Sequence, residues 1–214
     1  MDVYRTDEEQ VEALKKWWQE NGMSAVIGLV VGLGAIFGWR MWQEQQLLQA
    51  EAASEMYQQM VIAVRDDNDP DQAQKTAEQI HNNYESTVYA VFAKLLLAKL
   101  AVDAQDLESA TVHLRWSLDN NQDESLQHLI RLRLARILLA RDKSDAASSI
   151  IDIKQTGQFG AAYDELRGDI KHHDGDIEAA RIAYRQALTK TQASRNDISV
   201  LEIKLDGLGR IDFK

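Results

Sequence analysis

Residues 167–184 read RGDIKHHDGDIEAARIAY, and the reading of this stretch decides the fold. Gly168 is a small residue on what reads as one helix, Gly175-Asp176 is a turn signal, and Ala180 is a second small residue 12 positions after the first. Tyr184, Ala187 and Leu188 complete the second helix. Two antiparallel helices joined by a tight turn approach closely only where side chains are small, and large apolar residues then fill the space beside the contact. The spacing recurs upstream. Residues 134–151, LARILLARDKSDAASSII, put Ala135 and Ala147 in those places, and residues 97–114, LAKLAVDAQDLESATVHL, put Ala98 and Ala110 there. The units lie 37 and 33 residues apart, against a tetratricopeptide period of about 34.

Leu97 with Leu114, Leu134 with Ile151, and Ile177 with Tyr184 are the expected groove fillers. A fainter unit precedes these, with Val61 and Ala73 in the equivalent places. Its turn, Asp69-Pro70-Asp71-Gln72, reads as an N-cap, a proline at the first helical position and a glutamine at the third. The proline that usually ends such repeats is absent. The pattern predicts an all-α chain in which a solenoid of four helical hairpins occupies 43–195, entered by a long helical stretch from Gln43 to Arg65. Each hairpin buries its face on its neighbour, and the stack leaves a concave surface for peptides or proteins. In the tail, NDISVLEIKLDGLG, Ile198, Leu201, Leu205 and Leu208 share one helical face. Residues 196–214 therefore read as a capping segment, helical or, given its β-branched content, a strand.

Glycine and proline usage agrees. The 214-residue chain has one proline and 11 glycines, and no glycine falls between Trp39 and Thr156. Hairpins of strands need glycine-rich turns, so a run without them reads as helices. Zero cysteine excludes disulfides, thiolate metal sites and thiol catalysis. A formal net charge of −10 argues against nucleic acid as a partner, because phosphate binding rests on Lys and Arg. The basic run Arg131, Arg133, Arg136 and Arg141 reads as a solvated helix face.

The remaining glycines mark a second region. Residues 23–39, MSAVIGLVVGLGAIFGW, carry no charge, and the segment 23–42 spans about 30 Å as a helix, one hydrocarbon core. Trp17 and Trp18 precede it and Trp39 and Trp42 close it, an aromatic belt at both edges, with Arg40 placed to snorkel. A signal peptide fits poorly, since residues 1–22 hold six acids against three bases and the A-x-A at Ala50 to Ala52 is far from the apolar stretch. A buried core helix fits poorly because of the bracketing tryptophans. Arg5, Lys15 and Lys16 on the N-terminal side, against Arg40 alone before Arg65, predict a cytoplasmic N-terminus. Gly28 with Gly32 and Gly34 with Gly38 have small-xxx-small spacing: either a docking face for another membrane helix or the ordinary frequency of glycine in such helices. Residues 1–22 read as a surface-lying amphipathic helix, capped by Thr6 with Glu9 and striped by Val11, Leu14, Trp17 and Trp18, that Gly22 ends.

No catalytic constellation stands out. Asp67 to Asp71 with Glu78 resembles a calcium loop, but Gln72 takes the place of the required glycine, so capping is the better reading. His172 and His173 are adjacent, a poor metal pair, and the other histidines lack ligand spacing. We expect no cofactor, no metal and no enzyme activity.

The whole chain resembles the YfgM family, the ancillary SecYEG translocon subunit of the bacterial inner membrane. The resemblance rests on VEALKKWWQENG before the span, GWRMW at Gly38 to Trp42, LIRLRLARILL at Leu129 to Leu139, LRGDI and GD…AR…Y between Leu166 and Tyr184, and the EIKLDGL tail. It implies a single-pass inner-membrane protein with a periplasmic tetratricopeptide-like domain. It further implies association with the Sec translocon and the membrane-anchored chaperone PpiD, and help in passing exported polypeptides to periplasmic chaperones. A tie to envelope stress regulation, through a cytoplasmic contact of the N-terminal segment, is the alternative role. The resemblance supplies no catalytic residues.

Overall fold

The computed structural model describes residues 7–66, 68–194 and 197–209. Helices account for all regular structure among them: α1 (Asp7–Arg65), α2 (Pro70–Tyr84), α3 (Val88–Asp103), α4 (Leu107–Asp119), α5 (Glu124–Ala140), α6 (Ser144–Ile151), α7 (Gly160–His173), α8 (Ile177–Ala193) and α9 (Ser199–Gly207), with a 3-10 turn at Gly157–Phe159. The chain divides into two compact units, 1–52 and 53–214, and α1 contributes to each.

α1 corrects one expectation. It is a single helix of 59 residues and does not stop at Gly22. A glycine inside a helix costs only about 1 kcal/mol, and no proline follows to make the break. Gly22 has a packing role instead: a Cβ there would stand 3.2 Å from the Trp18 indole, which lies over it one turn away. Thr6 lies outside the described residues.

The unit from Ala53 onward is built from hairpins. The end of α1 pairs with α2, α3 with α4, α5 with α6, and α7 with α8. Met60 and Ala63 of α1 pack with Ala73, Ala77 and Ile80 of α2 and with Ala90, Ala93 and Leu97 of α3. Val61 is only half-buried, so Met60 and Ala63 take the role expected of it. The central core joins Leu114, Leu134, Leu138, Ile151, Tyr163, Leu166 and Ile170. Ile177, expected as a filler, is half-buried. The tail resolves as a helix: Leu201 of α9 is buried against Ala180, Tyr184 and Ala187, with Leu205 and Leu208 beside it.

The four hairpin turns share one backbone solution. Asn68, Gln105, Asp142 and Gly175 all have positive φ, at 49°, 62°, 55° and 81°. They stand 37, 37 and 33 residues apart, the period of the repeat. In three of them the next amide closes a six-residue loop back to the helix end: Asp106 N–H to Ala101 O, Lys143 N–H to Leu138 O, and Asp176 N–H to Lys171 O, at 2.8 to 2.9 Å. This left-handed stop satisfies carbonyls that a helix end leaves open. The residue after each stop begins the next helix. Asp69, Asp106 and Asp176 accept hydrogen bonds from the amides of Gln72, Ser109 and Ala179. Lys143 has the same backbone form, φ −107° and ψ 59°, but makes no side-chain cap.

Candidate functional site

In the first unit the apolar stretch of α1 is long and apolar enough to cross a membrane. Its large side chains face outward: Ile27, Leu29, Val31 and Phe37 are all exposed. Trp17 and Trp18 lie 6.4 Å apart by ring centroids, and Trp39 and Trp42 lie 5.0 Å apart, each pair at one edge of the segment. Gly28, Gly32, Gly34 and Gly38 have no atom within 4 Å of where a Cβ would stand, so none serves packing inside the chain. At about 100° of turn per residue, the pair Gly28/Gly32 and the pair Gly34/Gly38 centre roughly 120° apart. The four glycines form two stripes, not one.

In the second unit the alanines read as repeat-packing residues are buried. Ala98 is 3% exposed, and Ala110, Ala135, Ala147, Ala180 and Ala187 are fully buried. Gly168 is the tightest of the set. A Cβ there would come closer than 3.0 Å to the ring carbons Cδ1 and Cε1 of Tyr184, which is itself 2% exposed. The Tyr184 hydroxyl donates to Asp169 Oδ1 at 2.8 Å. Burial first, then that carboxylate, pushes the phenol above its ordinary value.

Asp169 also receives the tail. Lys204 Nζ of α9 lies 2.7 and 2.9 Å from the two Asp169 oxygens and 2.6 Å from Glu165 Oε1. Two separated segments, LRGDI and EIKLDGL, are therefore one structural site. Gly168 admits the Tyr184 ring, and Asp169 binds both the ring's hydroxyl and the tail's ammonium. Nearby, Asp164, buried on α7, holds Arg167 Nη1 and Lys190 Nζ at 2.5 Å each, tying α7 to α8. Burying a carboxylate is tolerated only with such partners.

The basic run on α5 is not one solvated face. Arg141 turns across to Glu108 and also donates to Thr111 Oγ1 at 2.8 Å. Arg133 and Arg136 instead border a groove of about 350 Å³ between α3 and α5. Sequence reasoning missed that groove, the Lys204 contact and the left-handed turn residues Asn68, Gln105 and Asp142. The turn residues had a visible signal, the 37-residue recurrence of Asp69 and Asp106, each preceded by a polar residue. His173 Nε2 lies 3.0 Å from Asp142 Oδ1 and its Nδ1 3.4 Å from Asp174 Oδ1, joining the end of α7 to the preceding hairpin's turn. These carboxylates raise its pKa above the ordinary 6.5. At the suspected calcium loop Asp69 caps α2, while Asp67 lies outside the described residues.

A family model described as a tetratricopeptide repeat-like domain matches residues 15–210. The chain is 34% identical to the ancillary SecYEG translocon subunit of Escherichia coli (strain K12), over 97% of this chain and 99% of that protein. It is 35% identical to the protein of the same name from Haemophilus influenzae, over 96% and 100%. At 24% identity, the Neisseria gonorrhoeae protein of that name still aligns over 97% and 100%. No solved structure matches the chain significantly. With hairpins of tetratricopeptide period, one helix apolar enough for a membrane and full-length similarity to these relatives, the chain belongs to the tetratricopeptide repeat-like family whose curated members are named ancillary SecYEG translocon subunits.

Proposed function

We propose that the protein is a membrane-anchored interaction adaptor at the Sec translocon of the inner membrane. Its N-terminus lies in the cytoplasm and its hairpin unit in the periplasm. There it helps hand exported polypeptides to periplasmic chaperones, working beside a PpiD-like membrane-anchored chaperone. The observation that carries this reading is the pairing, in one chain, of an exposed apolar helix with a hairpin stack that matches translocon subunits over its full length. The distribution of Lys and Arg around the span supports the orientation. Anchoring supplies a mechanism: a weak contact becomes effectively intramolecular when both partners are held at the same exit site. The two glycine stripes offer places where helices of a membrane complex approach closely.

Gentle detergent extraction followed by affinity purification of the full chain is expected to recover translocon subunits. Their absence, with the chain intact and membrane-bound, overturns the association. Orientation has an independent test, because the chain has no cysteine of its own. Glu12→Cys is expected to react with a membrane-impermeant maleimide only after the membrane is permeabilised, and Asn82→Cys already in spheroplasts.

A further inference from the structure

α9 carries apolar side chains on two sides. On the inner side Leu201 is buried against Ala180, Tyr184 and Ala187, with Leu205 and Leu208 beside it. On the outer side Val200 is 56% and Ile203 71% exposed, and the exposed Gly207 follows one turn later, so positions 200, 203 and 207 make one stripe. Among the described residues from Ala53 onward, no other two large apolar side chains this exposed stand one turn apart on a helix. A helix that closes a stack of hairpins ordinarily turns a polar face outward, and a helix that is apolar all round is a covered one. Gly207 adds to the anomaly. Nothing lies within 4 Å of where its Cβ would stand, and it sits inside the helix, so packing within the chain does not ask for glycine there.

The charges around the stripe decide what covers it. The exposed charged residues of α9 are Glu202 and Asp206, both acidic, whereas a bilayer surface with anionic lipids attracts Lys and Arg. Lys204, the one cation of the helix, is held by Asp169 and Glu165. A second copy of the chain answers the stripe in shape and in charge. Val200 and Gly207 are seven residues apart, about 10 Å along the axis, with Ile203 between them. When a second α9 lies antiparallel across the first, about a two-fold axis beside Ile203, each Val200 falls opposite Gly207 of the other copy, a large side chain over a missing one. The two Ile203 side chains meet near the axis. Asp206 then comes to the first turn of the other helix, the positive end of its dipole.

We propose that the outer face of α9 is a two-fold contact between copies of this chain, with Ile203 at the axis and Val200 of each copy seated on Gly207 of the other. The contact uses the same patch on both copies and so closes at two. It is small. Stable dimers in solution bury about 1,200–2,000 Å², more than one stripe on a nine-residue helix supplies. The pair therefore forms between chains anchored in the same membrane, where the effective concentration is high. The contact presupposes the membrane anchor and nothing of the translocon reading.

The chain has no cysteine of its own, so the test is disulfide cross-linking of the full chain in proteoliposomes at low protein-to-lipid ratio, read on non-reducing gels. Ile203→Cys is expected to give at least about tenfold more dimer than Asn82→Cys, an exposed position on α2 that reports random collision. Val200→Cys should cross-link poorly to itself, because the two copies of that position stand about 10 Å apart, beyond disulfide reach. The double variant Val200→Cys/Gly207→Cys should cross-link well between copies, since within one helix the two positions are equally out of reach. A readout without cysteine chemistry is single-molecule counting of labelled chains. Ile203→Asp and Gly207→Leu, the second of which fills the hole, should each weaken pairing about tenfold and leave the circular dichroism and melting temperature unchanged. Ile203→Cys dimer no more abundant than that of Asn82→Cys, self-cross-linking of Val200→Cys as strong as that of Ile203→Cys, or pairing indifferent to Ile203→Asp overturns the proposal. Cross-linking of Ile203→Cys in native membranes to another protein alone, with no pairing of the reconstituted chain, shows that a different partner covers the face and overturns it as well. So does quenching of a fluorophore at Ile203→Cys by brominated lipid without pairing. Translocon co-purification is a separate readout, so failure of the pairing experiment and failure of the proposed function are told apart.

Discussion

Gly168→Ala tests the repeat at its tightest point. In an ordinary helix interior the exchange stabilises by about 1 kcal/mol, because alanine restricts the unfolded chain and favours the helix. Here the added Cβ enters the space of the Tyr184 ring, closer than 3.0 Å to two of its carbons. The ring has no free path away. It is 2% exposed, its hydroxyl is held by Asp169 at 2.8 Å, and Ala180 and Ala187 pack beside it. Overpacking a close-packed site costs about 1–3 kcal/mol. Less the propensity gain of about 1 kcal/mol, the net loss is about 0–2 kcal/mol, at most roughly 8 °C in melting temperature for a unit of this size. The assay is thermal unfolding of the full chain in mild detergent, followed by far-ultraviolet circular dichroism. The same substitution in a Tyr184→Leu background isolates the cause: with the ring gone, Gly168→Ala should recover its ordinary gain, giving a coupling of about 1–3 kcal/mol in the cycle. Stabilisation by Gly168→Ala in the parent chain would falsify the close-crossing account of Gly168.

Three further outcomes follow from the same geometry. Lys143→Asn should stabilise by about 1 kcal/mol relative to Lys143→Ala, since the backbone at this position already has the form of the capped turns and lacks only an acceptor; thermal melts of the two variants decide it. Lys204→Met should release α9, at a cost of about 1.5–3 kcal/mol for losing charge-assisted bonds to Glu165 and Asp169, and hydrogen exchange should show protection lost in α9 but kept in α3 to α5. The His173 contribution should be pH-dependent. Its pKa is raised by Asp142 and then Asp174, so the stabilisation is complete below the unfolded value near 6.5 and is lost as pH rises through the higher folded value. A proton titration by nuclear magnetic resonance should place His173 above 6.5 and find it lower in Asp142→Asn, a change that the left-handed turn tolerates.

The parts of this fold that were legible in the sequence are those governed by local size and period. Ala98 with Ala110 and Ala135 with Ala147 announce a helix crossing because close approach demands a small side chain wherever it occurs. The turns were half-legible. Gly175 was visible because glycine is the expected left-handed residue, whereas Asn68, Gln105 and Asp142 do the same work with side chains that are not usually read as stops. Gly22 misled for the opposite reason. Glycine permits a break without causing one, and the continuous apolar and helix-favouring residues on both sides carry the helix through. The groove by Arg133 and Arg136 was hidden in a stretch that looks like any charged helix face. It exists only because α3 lies beside α5, which brings together residues more than 30 positions apart.

The fastening of Lys204 to Asp169 also bears on polymerisation. A stack of similar hairpins has an open end that matches the exposed start of another stack, and nothing intrinsic to the repeat stops chains from adding to one another. Here α9 occupies the surface over Ala180, Tyr184 and Ala187 on which another hairpin would settle. If the tail is a chain terminator, a protein cut before Ile198 should assemble into oligomers whose size grows with concentration.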